Sequence, residues 1–169
     1  MEGQNVARFA ESLASVGAKC ERVRSAELSG AIADRVVEPA VGVELPFAPR
    51  ALAKCSIETN PSPRDVVAAE TGVTPGSFAV ASTGSVALPS SPDALEPIAL
   101  YPERHVIVVP ERELYDDLGD GLDRLADAFA TGTESVVFAT GPSATADMGG
   151  LVRGAHGPRD VHVLTVIDG

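Results

Sequence analysis

Two polar loops that contain glycine, near the end of the chain, carry residue types suited to chemistry. The first follows an apolar segment at residues 135–139 and contains Gly141, Ser143, Thr145 and Asp147. We predict a strand, this loop, a helix over residues 145–153 and a second strand over residues 161–167. A loop at the carboxyl end of a parallel strand borders the usual ligand crevice, and a following helix presents unpaired backbone N–H groups. The pattern predicts that Gly141, Ser143 and Thr145 hold a small anion or phosphate; the alternative is simple helix capping.

The second loop places His156 between two glycines. Flexible backbone on both sides favours an exposed imidazole, which can act as a general base or hydrogen-bond a carboxylate. We therefore take His156 and Asp147 as the candidate catalytic pair; the alternative is a histidine that only hydrogen-bonds its own loop. His105 and His162 fall in predicted strands and are interpreted as core or sheet-end residues. Because the three histidines lack metal-ligand spacing, we expect no metal site and no cofactor.

Thr83, Gly84 and Ser85 form a third candidate, with two hydroxyls around a glycine that lets a ligand approach the backbone. A β-turn that needs positive φ explains the same residues equally well. We expect the turns near residues 83, 141 and 156 to converge and build one pocket. The chain contains no nucleophile elbow, Walker loop or dinucleotide fingerprint, which argues against nucleotide hydrolysis and classical dinucleotide binding.

Helices and strands must position these loops, and the spacing of apolar residues along the chain predicts where they lie. Apolar residues at helical spacing predict helices over residues 5–15, 28–36, 62–72 and 111–130, the third with Ser62 as its N-cap. Short apolar runs predict strands at residues 20–23, 41–45, 53–57, 78–81, 85–88, 105–109, 136–139 and 161–167. Residues 89–97 are predicted to be a surface excursion. Three of the strands, at residues 105–109, 136–139 and 161–167, are apolar on both faces, which is typical of a parallel sheet covered by helices on both sides. We predict a three-layer α/β/α fold.

Length and charge bound the function further. The chain of 169 residues fits one domain, with 24 acidic against 13 basic residues and a net charge of −11. Such a charge repels nucleic acids and anionic membranes, so neither is expected as a partner. The acidic excess, with only two lysines, favours a protein adapted to high salt over an ordinary acidic protein. Cys20 and Cys55 are isolated and are interpreted as small buried hydrophobes. Because no signal or membrane-spanning pattern is found, we expect a cytoplasmic protein.

The motifs also resemble a known family. The loop from Gly141 to Asp147, the segment from Gly154 to Val163, and the upstream stretches at residues 81–85 and 101–110 are similar to the LUD-domain family, specifically its LutC-type lactate utilization proteins. The resemblance covers residues 65–168 well and residues 1–60 only in general layout, within a single domain. It implies the NagB/RpiA/CoA-transferase-like fold, which is a three-layer α/β/α arrangement whose central sheet is mostly parallel. It also implies an accessory, cytoplasmic role in oxidising L-lactate to pyruvate together with iron–sulfur partner proteins.

The chain departs from the family pattern at several polar positions. Acids common in the family are replaced by Ser82 and Gly149, and Glu96 lies where the family often has an arginine. Of the expected carboxylates, Asp147 remains. The alternatives are therefore a small enzyme acting on a phosphorylated or acyl/carboxylate ligand, or a non-catalytic binding module. The sequence leaves the oligomeric state open, with a homo-oligomer as one option.

Overall fold

Strands dominate the computed structural model, which describes residues 2–90, 95–147 and 149–167. The strands are β1 (Lys19–Arg24), β2 (Ala40–Gly42), β3 (Ile57–Glu58), β4 (Thr71–Pro75), β5 (Phe78–Val80), β6 (Ser85–Pro89), β7 (Arg104–Pro110), β8 (Leu114–Tyr115), β9 (Val136–Ala139), β10 (Ala144–Thr145), β11 (Val152–Arg153) and β12 (Asp160–Ile167). The helices are α1 (Glu2–Ser15), α2 (Leu28–Ala33), α3 (Pro63–Ala68), α4 (Leu95–Leu100) and α5 (Leu118–Ala130).

The central sheet has six strands in the order β1-β12-β7-β4-β2-β3, and every neighbouring pair is parallel. Its middle strands are buried on both faces, as their continuous apolar sequences require. The predicted α/β fold with a mostly parallel central sheet flanked by helices is therefore confirmed.

A second sheet lies beside the first, with four strands in the order β8-β5-β6-β9. Strands β5, β6 and β9 pair in antiparallel fashion, and β8 joins β5 in parallel. Strands β10 and β11 form a separate antiparallel pair. Residues 136–139 were predicted to belong to the parallel sheet, and this prediction is wrong. An apolar run indicates burial but does not select the strand with which it pairs.

Two apolar cores enclose the central sheet. One face packs against α2, and this core includes Ile32, Val73, Val106, Val108 and Leu164. The other face packs against α1, α3, α4 and the inner side of the second sheet, with a core that includes Phe9, Val66, Ile98, Ile107 and Val163. Helix α5 covers the outer side of the second sheet, where Leu125 packs on the cluster around Phe78. The second sheet is thus an additional layer that the predicted α/β/α arrangement did not include.

Several predicted helices have different bounds. The helix predicted over residues 28–36 ends at Ala33, and pairing within a sheet changes two others. The helix predicted over residues 111–130 begins only at Leu118, because Leu114 is buried and pairs with β5 as part of β8. The helix predicted over residues 62–72 ends at Ala68, and Gly72 lies inside β4, a central strand that the sequence pattern did not predict. In both cases pairing within a sheet overrides the local helical pattern.

The segment predicted as a surface excursion, residues 89–97, contains the start of α4. Leu95, Ile98 and Ala99 are buried on this helix, so it belongs to the core. Residues 91–94 of that prediction lie outside the described residues. Within the part of the chain that the structure describes, no helix is long and apolar enough to cross a membrane.

The start of α3 follows the sequence signal closely. Ser62 is the N-cap; its side chain accepts a hydrogen bond from the Asp65 backbone N–H, and the Asp65 carboxylate accepts one from the Ser62 backbone N–H at 2.8 Å. These reciprocal bonds satisfy amide groups that lack partners within the helix. The Ser62 hydroxyl also donates to the Asp65 carboxylate at 2.7 Å, and this bond, together with the one from the Ser62 backbone N–H, lowers the pKa of Asp65.

We expect Ser62→Ala to lower the free energy of unfolding by about 1 kcal/mol, because the N-cap hydrogen bonds are lost. Urea unfolding at neutral pH measures this change. Ser56→Ala serves as the control, since Ser56 is an exposed serine outside the helix. Equal unfolding midpoints for Ser62→Ala and Ser56→Ala would contradict the role of the cap.

Candidate functional site

A cleft of about 510 Å³ lies at the carboxyl ends of three neighbouring central strands. We call it the carboxyl-end cleft. Val43 and Glu44 follow β2, Gly76 and Ser77 follow β4, and Arg112 follows β7. In open parallel sheets, ligands bind in the crevice beyond the carboxyl ends of the strands, so this cleft is the candidate functional site.

The walls of the carboxyl-end cleft are mostly apolar. Four prolines and three other apolar residues line them: Pro46, Pro75, Pro89, Pro110, Val43, Phe47 and Leu95. Prolines have rigid rings and no backbone N–H, so they add apolar surface without hydrogen-bond donors. The polar side chains of the described lining are those of Glu44, Ser77, Ser90, Arg112 and Glu113.

Arg112 is the basic residue among those that line the cleft. The acids on either side of it in sequence have other partners. The Glu111 carboxylate is held by Arg22 at 2.5 and 2.6 Å, and the Glu113 carboxylate accepts from Arg124 at 2.6 and 2.7 Å. The Arg112 guanidinium reaches Glu113 only at 3.7 Å, and its side chain is 52% exposed. Much of its hydrogen-bonding capacity is therefore available to a ligand.

The remaining polar groups lie across and above the cleft. Glu44 is exposed and follows β2, whereas Arg112 follows β7. Because β4 lies between these strands, the two residues sit on opposite sides, with roughly 10 Å between their strands. Ser77 is exposed, and the Ser90 hydroxyl accepts from the backbone N–H groups of Glu134 and Ser135.

The residues predicted from sequence lie at the other end of the central sheet. Thr83 is exposed, and its hydroxyl donates to the Ser85 hydroxyl at 2.8 Å, which in turn lies 2.7 Å from the Thr140 hydroxyl. Gly84 has φ +65°, and a Cβ there would lie 2.9 Å from the backbone of the carboxyl-terminal end of α1. Packing against α1 and the turn conformation therefore account for this glycine.

The loop around Gly141 packs against the same end of α1. Gly141 has φ +73°, and a Cβ there would lie 2.6 Å from the Val16 side chain. The Ser143 hydroxyl accepts from the His156 backbone N–H at 3.3 Å, and the Ser143 N–H donates to the Pro158 carbonyl. Hydrogen bonds thus bring the turns near residues 83, 141 and 156 together, next to the amino ends of β7 and β12. That these turns build one ligand pocket stays a prediction.

The helix predicted over residues 145–153 is wrong. Strands β10 and β11 pair there, and the Thr145 hydroxyl accepts from the Asp147 N–H at 3.3 Å within the intervening turn. Glycines at 149 and 150 disfavour a helix, and Gly149 has φ +82°. Among the described residues of this loop, no helix N-terminus is therefore available to hold an anion beside Ser143. Asp147 and His156 are both exposed on this loop, and their catalytic role stays a prediction.

His105 lies beneath these turns, beside a cavity of about 170 Å³ that Thr140, Gly141, Ser143 and Pro158 also line. Its ring is fully buried and hydrogen-bonds the Thr74 hydroxyl at 2.8 Å. Burial lowers the pKa of the His105 imidazole to about 3, because the charged form is desolvated. A neutral, buried histidine agrees with the interpretation of His105 as a core residue.

His162 lies near the amino end of β12, in a cluster of charged side chains. Its ring nitrogen is 3.0 Å from the Asp160 carboxylate, which also pairs with Arg104 at 3.0 Å and Lys19 at 3.6 Å. Burial lowers the pKa of His162, although Asp160 opposes the shift. Among the described residues, no group of three or more histidines, cysteines or acids has the arrangement of a metal site.

Sequence analysis did not single out the residues of the carboxyl-end cleft. A usable signal was present, because Arg112, Ser77 and Glu44 each come directly after or shortly after a strand. Two of the three strands were, however, incompletely described: β4 was missed, and β2 is shorter than predicted. The carboxyl ends that meet at the cleft were therefore not recognised together.

Comparisons with known proteins identify relatives of this chain. The model of the LUD domain family matches residues 57–166. Lactate utilization protein C of Deinococcus radiodurans is 30% identical over 168 residues, which cover 94% of this chain and 78% of that protein. Lactate utilization protein C of Bacillus subtilis is 30% identical over 104 residues, covering 59% of this chain and 43% of that protein.

A solved structure supports the fold independently. The crystal structure of a DUF162 family protein from Deinococcus radiodurans superposes with a TM-score of 0.78 and covers 98% of both chains. The identity is 22%, so this likeness concerns the fold alone. The family match spans more than half of the chain, and the first relative is similar along nearly all of it. On these grounds the chain belongs to the LUD domain family.

Proposed function

We propose that this protein acts in lactate utilization, as an accessory subunit that works with iron–sulfur partner proteins in the oxidation of L-lactate to pyruvate. The observation that carries the proposal is the 30% identity to a protein named Lactate utilization protein C across 94% of this chain. We also propose that the protein is a single domain that works in the cytoplasm. Its net charge of −11 favours a solvated surface.

The chemistry of the chain supports an accessory role. Cys20 and Cys55 are its two cysteines, and an iron–sulfur cluster of the common type needs four thiolate ligands. Burial raises the pKa of the Cys20 thiol to about 11, so this sulfur stays protonated at neutral pH. Electrons from lactate would therefore pass through partner proteins that hold the clusters.

Deletion of the gene in its source organism tests the role in lactate utilization. We expect the deletion strain to grow normally on pyruvate and to lose growth on L-lactate, because only the oxidation step is blocked. A plasmid copy of the gene should restore growth. Normal growth of the deletion strain on L-lactate would contradict the role.

A second measurement tests the accessory assignment separately. We expect an affinity-tagged copy, purified without oxygen from lactate-grown cells, to carry along polypeptides rich in cysteine and iron. The same purification from cells expressing an unrelated acidic protein with the tag is the control. If deletion abolishes growth on lactate but no iron-containing partner co-purifies, the role in lactate utilization stands and the accessory role is rejected.

The carboxyl-end cleft favours a second candidate, a binding module or small enzyme for a phosphorylated or acyl/carboxylate ligand. Arg112 supplies a positive charge at the opening of a largely apolar cleft. Fold alone does not identify such a ligand, since the same architecture supports unrelated functions. The ligand class therefore has to be inferred from the residues that line the cleft.

A further inference from the structure

We propose that the carboxyl-end cleft binds a small organic acid with a single negative charge and an apolar body larger than that of lactate, with its carboxylate on Arg112. This inference names the ligand class of the carboxyl-end cleft, and it rests on the second candidate function, which takes this cleft as the binding site. Growth on lactate tests the pathway, whereas the binding measurements below test the ligand.

The charge of the ligand follows from how the acids near Arg112 are used. Glu111 is engaged by Arg22 and Glu113 by Arg124, each through two short contacts. Arg112 keeps one contact at 3.7 Å. A guanidinium has five N–H donors in a planar fork that matches a carboxylate, so a carboxylate ligand fits the donors that remain.

The opposite side of the cleft limits the ligand to one negative charge. Glu44 is exposed beyond β2, and among the described residues that line the cleft none other than Arg112 is basic. A dianion such as a phosphate monoester would place its additional charge in a cleft whose lining contains one cation, Arg112, and two carboxylates, Glu44 and Glu113. Because like charges repel, a monocarboxylate is favoured over a phosphorylated ligand.

The size of the ligand follows from the volume of the cleft. A volume of about 510 Å³ equals roughly 17 water molecules at about 30 Å³ each. Lactate has six non-hydrogen atoms and would leave most of this space to water. A ligand with an aromatic or branched aliphatic body fills more of it.

The walls determine the character of that body. Phe47, Leu95 and Val43 line the cleft together with four prolines. Burial of apolar ligand surface against them is favourable, and the exposed Ser77 hydroxyl is available to a 2-hydroxy or 2-oxo group. An organic acid with an apolar side chain therefore fits the cleft, with its carboxylate on Arg112 and its side chain against the apolar walls.

Binding of 3-phenyllactate to the full chain tests the proposal. We expect titration calorimetry to show binding at least tenfold tighter than that of L-lactate, because the phenyl group reaches the apolar walls. The neutral 3-phenylpropane-1,2-diol should bind at least tenfold more weakly than 3-phenyllactate, because it has no carboxylate for Arg112.

Matched variants test whether Arg112 supplies the positive charge that binds the carboxylate of the ligand. Arg112→Gln should weaken 3-phenyllactate binding at least tenfold, since a hydrogen-bonded charge pair is lost. Arg64→Gln removes an equal charge from the exposed surface of α3 and should leave binding unchanged. Glu44→Gln should tighten binding, because it removes the opposing carboxylate. Arg112, Arg64 and Glu44 are all exposed, so all three variants should fold.

Amide chemical shifts locate the ligand. We expect 3-phenyllactate to shift the backbone amides of Gly76, Ser77 and Ser90. The proposal is overturned if neither acid binds, if L-lactate binds as tightly as 3-phenyllactate, or if Arg112→Gln and Arg64→Gln behave alike. Shifts confined to residues 141–147 and 154–158 would also overturn it, because the ligand would then lie at the opposite end of the sheet.

Discussion

Gly72→Ala should lower the free energy of unfolding by about 3 kcal/mol, among the largest effects expected of a single added methyl group in this protein. Gly72 lies inside β4, where α4 crosses the central sheet closely. A Cβ at this position would lie 2.0 Å from the Ile98 carbonyl oxygen and 3.2 Å from an Ile98 side-chain carbon. The backbone of α4 or β4 must therefore move, and neither can do so without disturbing the core.

Gly30→Ala is the matched control for Gly72→Ala. Gly30 is an exposed residue inside α2, and apart from its chain neighbours and the backbone of its own helix, no atom lies within 4 Å of the Cβ that alanine would add. The same change there should raise stability by up to about 1 kcal/mol, because alanine favours the helix. Urea unfolding of both variants measures the contrast. Equal unfolding midpoints for Gly72→Ala and the wild type would show that α4 does not approach β4 as described.

Acidification should destabilise the protein through His105. The pKa of His105 is lowered to about 3 by burial, whereas a histidine in the unfolded chain titrates near 6.5. Between these values the unfolded state binds one more proton than the folded state, so stability rises with pH across this window. The contribution of His105 is fully present above pH 6.5 and is lost as the pH falls toward 3. The loss is on the order of 5 kcal/mol over the whole window.

A comparison of variants separates the contribution of His105 to the pH dependence of stability from the contributions of the other titrating groups. His105→Gln removes the titrating group, and the amide can hydrogen-bond the hydroxyl of Thr74 on the neighbouring strand. We expect its stability relative to wild type to improve by about 1.4 kcal/mol for each unit of pH below 6.5. His162→Gln is the control, because Asp160 opposes the lowering of the His162 pKa. Equal slopes for wild type and His105→Gln between pH 6.5 and 4.5 would contradict a buried neutral His105.

Several elements could be predicted from local sequence alone. The apolar stripe of α1 identified that helix, and Ser62, Pro63 and Asp65 identified the start of α3. Strands β7 and β12 were recognisable as long apolar runs, since strands covered on both faces need such sequences. These signals depend either on residues that are neighbours along the chain or on burial, and both can be inferred from the residue types.

Other elements depended on distant parts of the chain. Gly72 and Pro75 disfavour a strand by propensity, yet the glycine is what lets α4 pack on β4. Strand β9 has the composition of a central strand but pairs with β6 in the second sheet. Leu114 continues the apolar stripe of a helix but is held in β8. Each outcome is decided by a partner segment that the local pattern does not contain.

The amino-acid sequence alone predicted the α/β class, the family resemblance and the proximity of the turns near residues 83, 141 and 156. Only the tertiary structure decided that these turns lie at the amino ends of the central strands, and that Arg112, Ser77 and Glu44 face the carboxyl-end cleft. The reason is topological: strands that are far apart in the chain become neighbours in the sheet. Residues after β2, β4 and β7 meet because the strand order brings those three ends together.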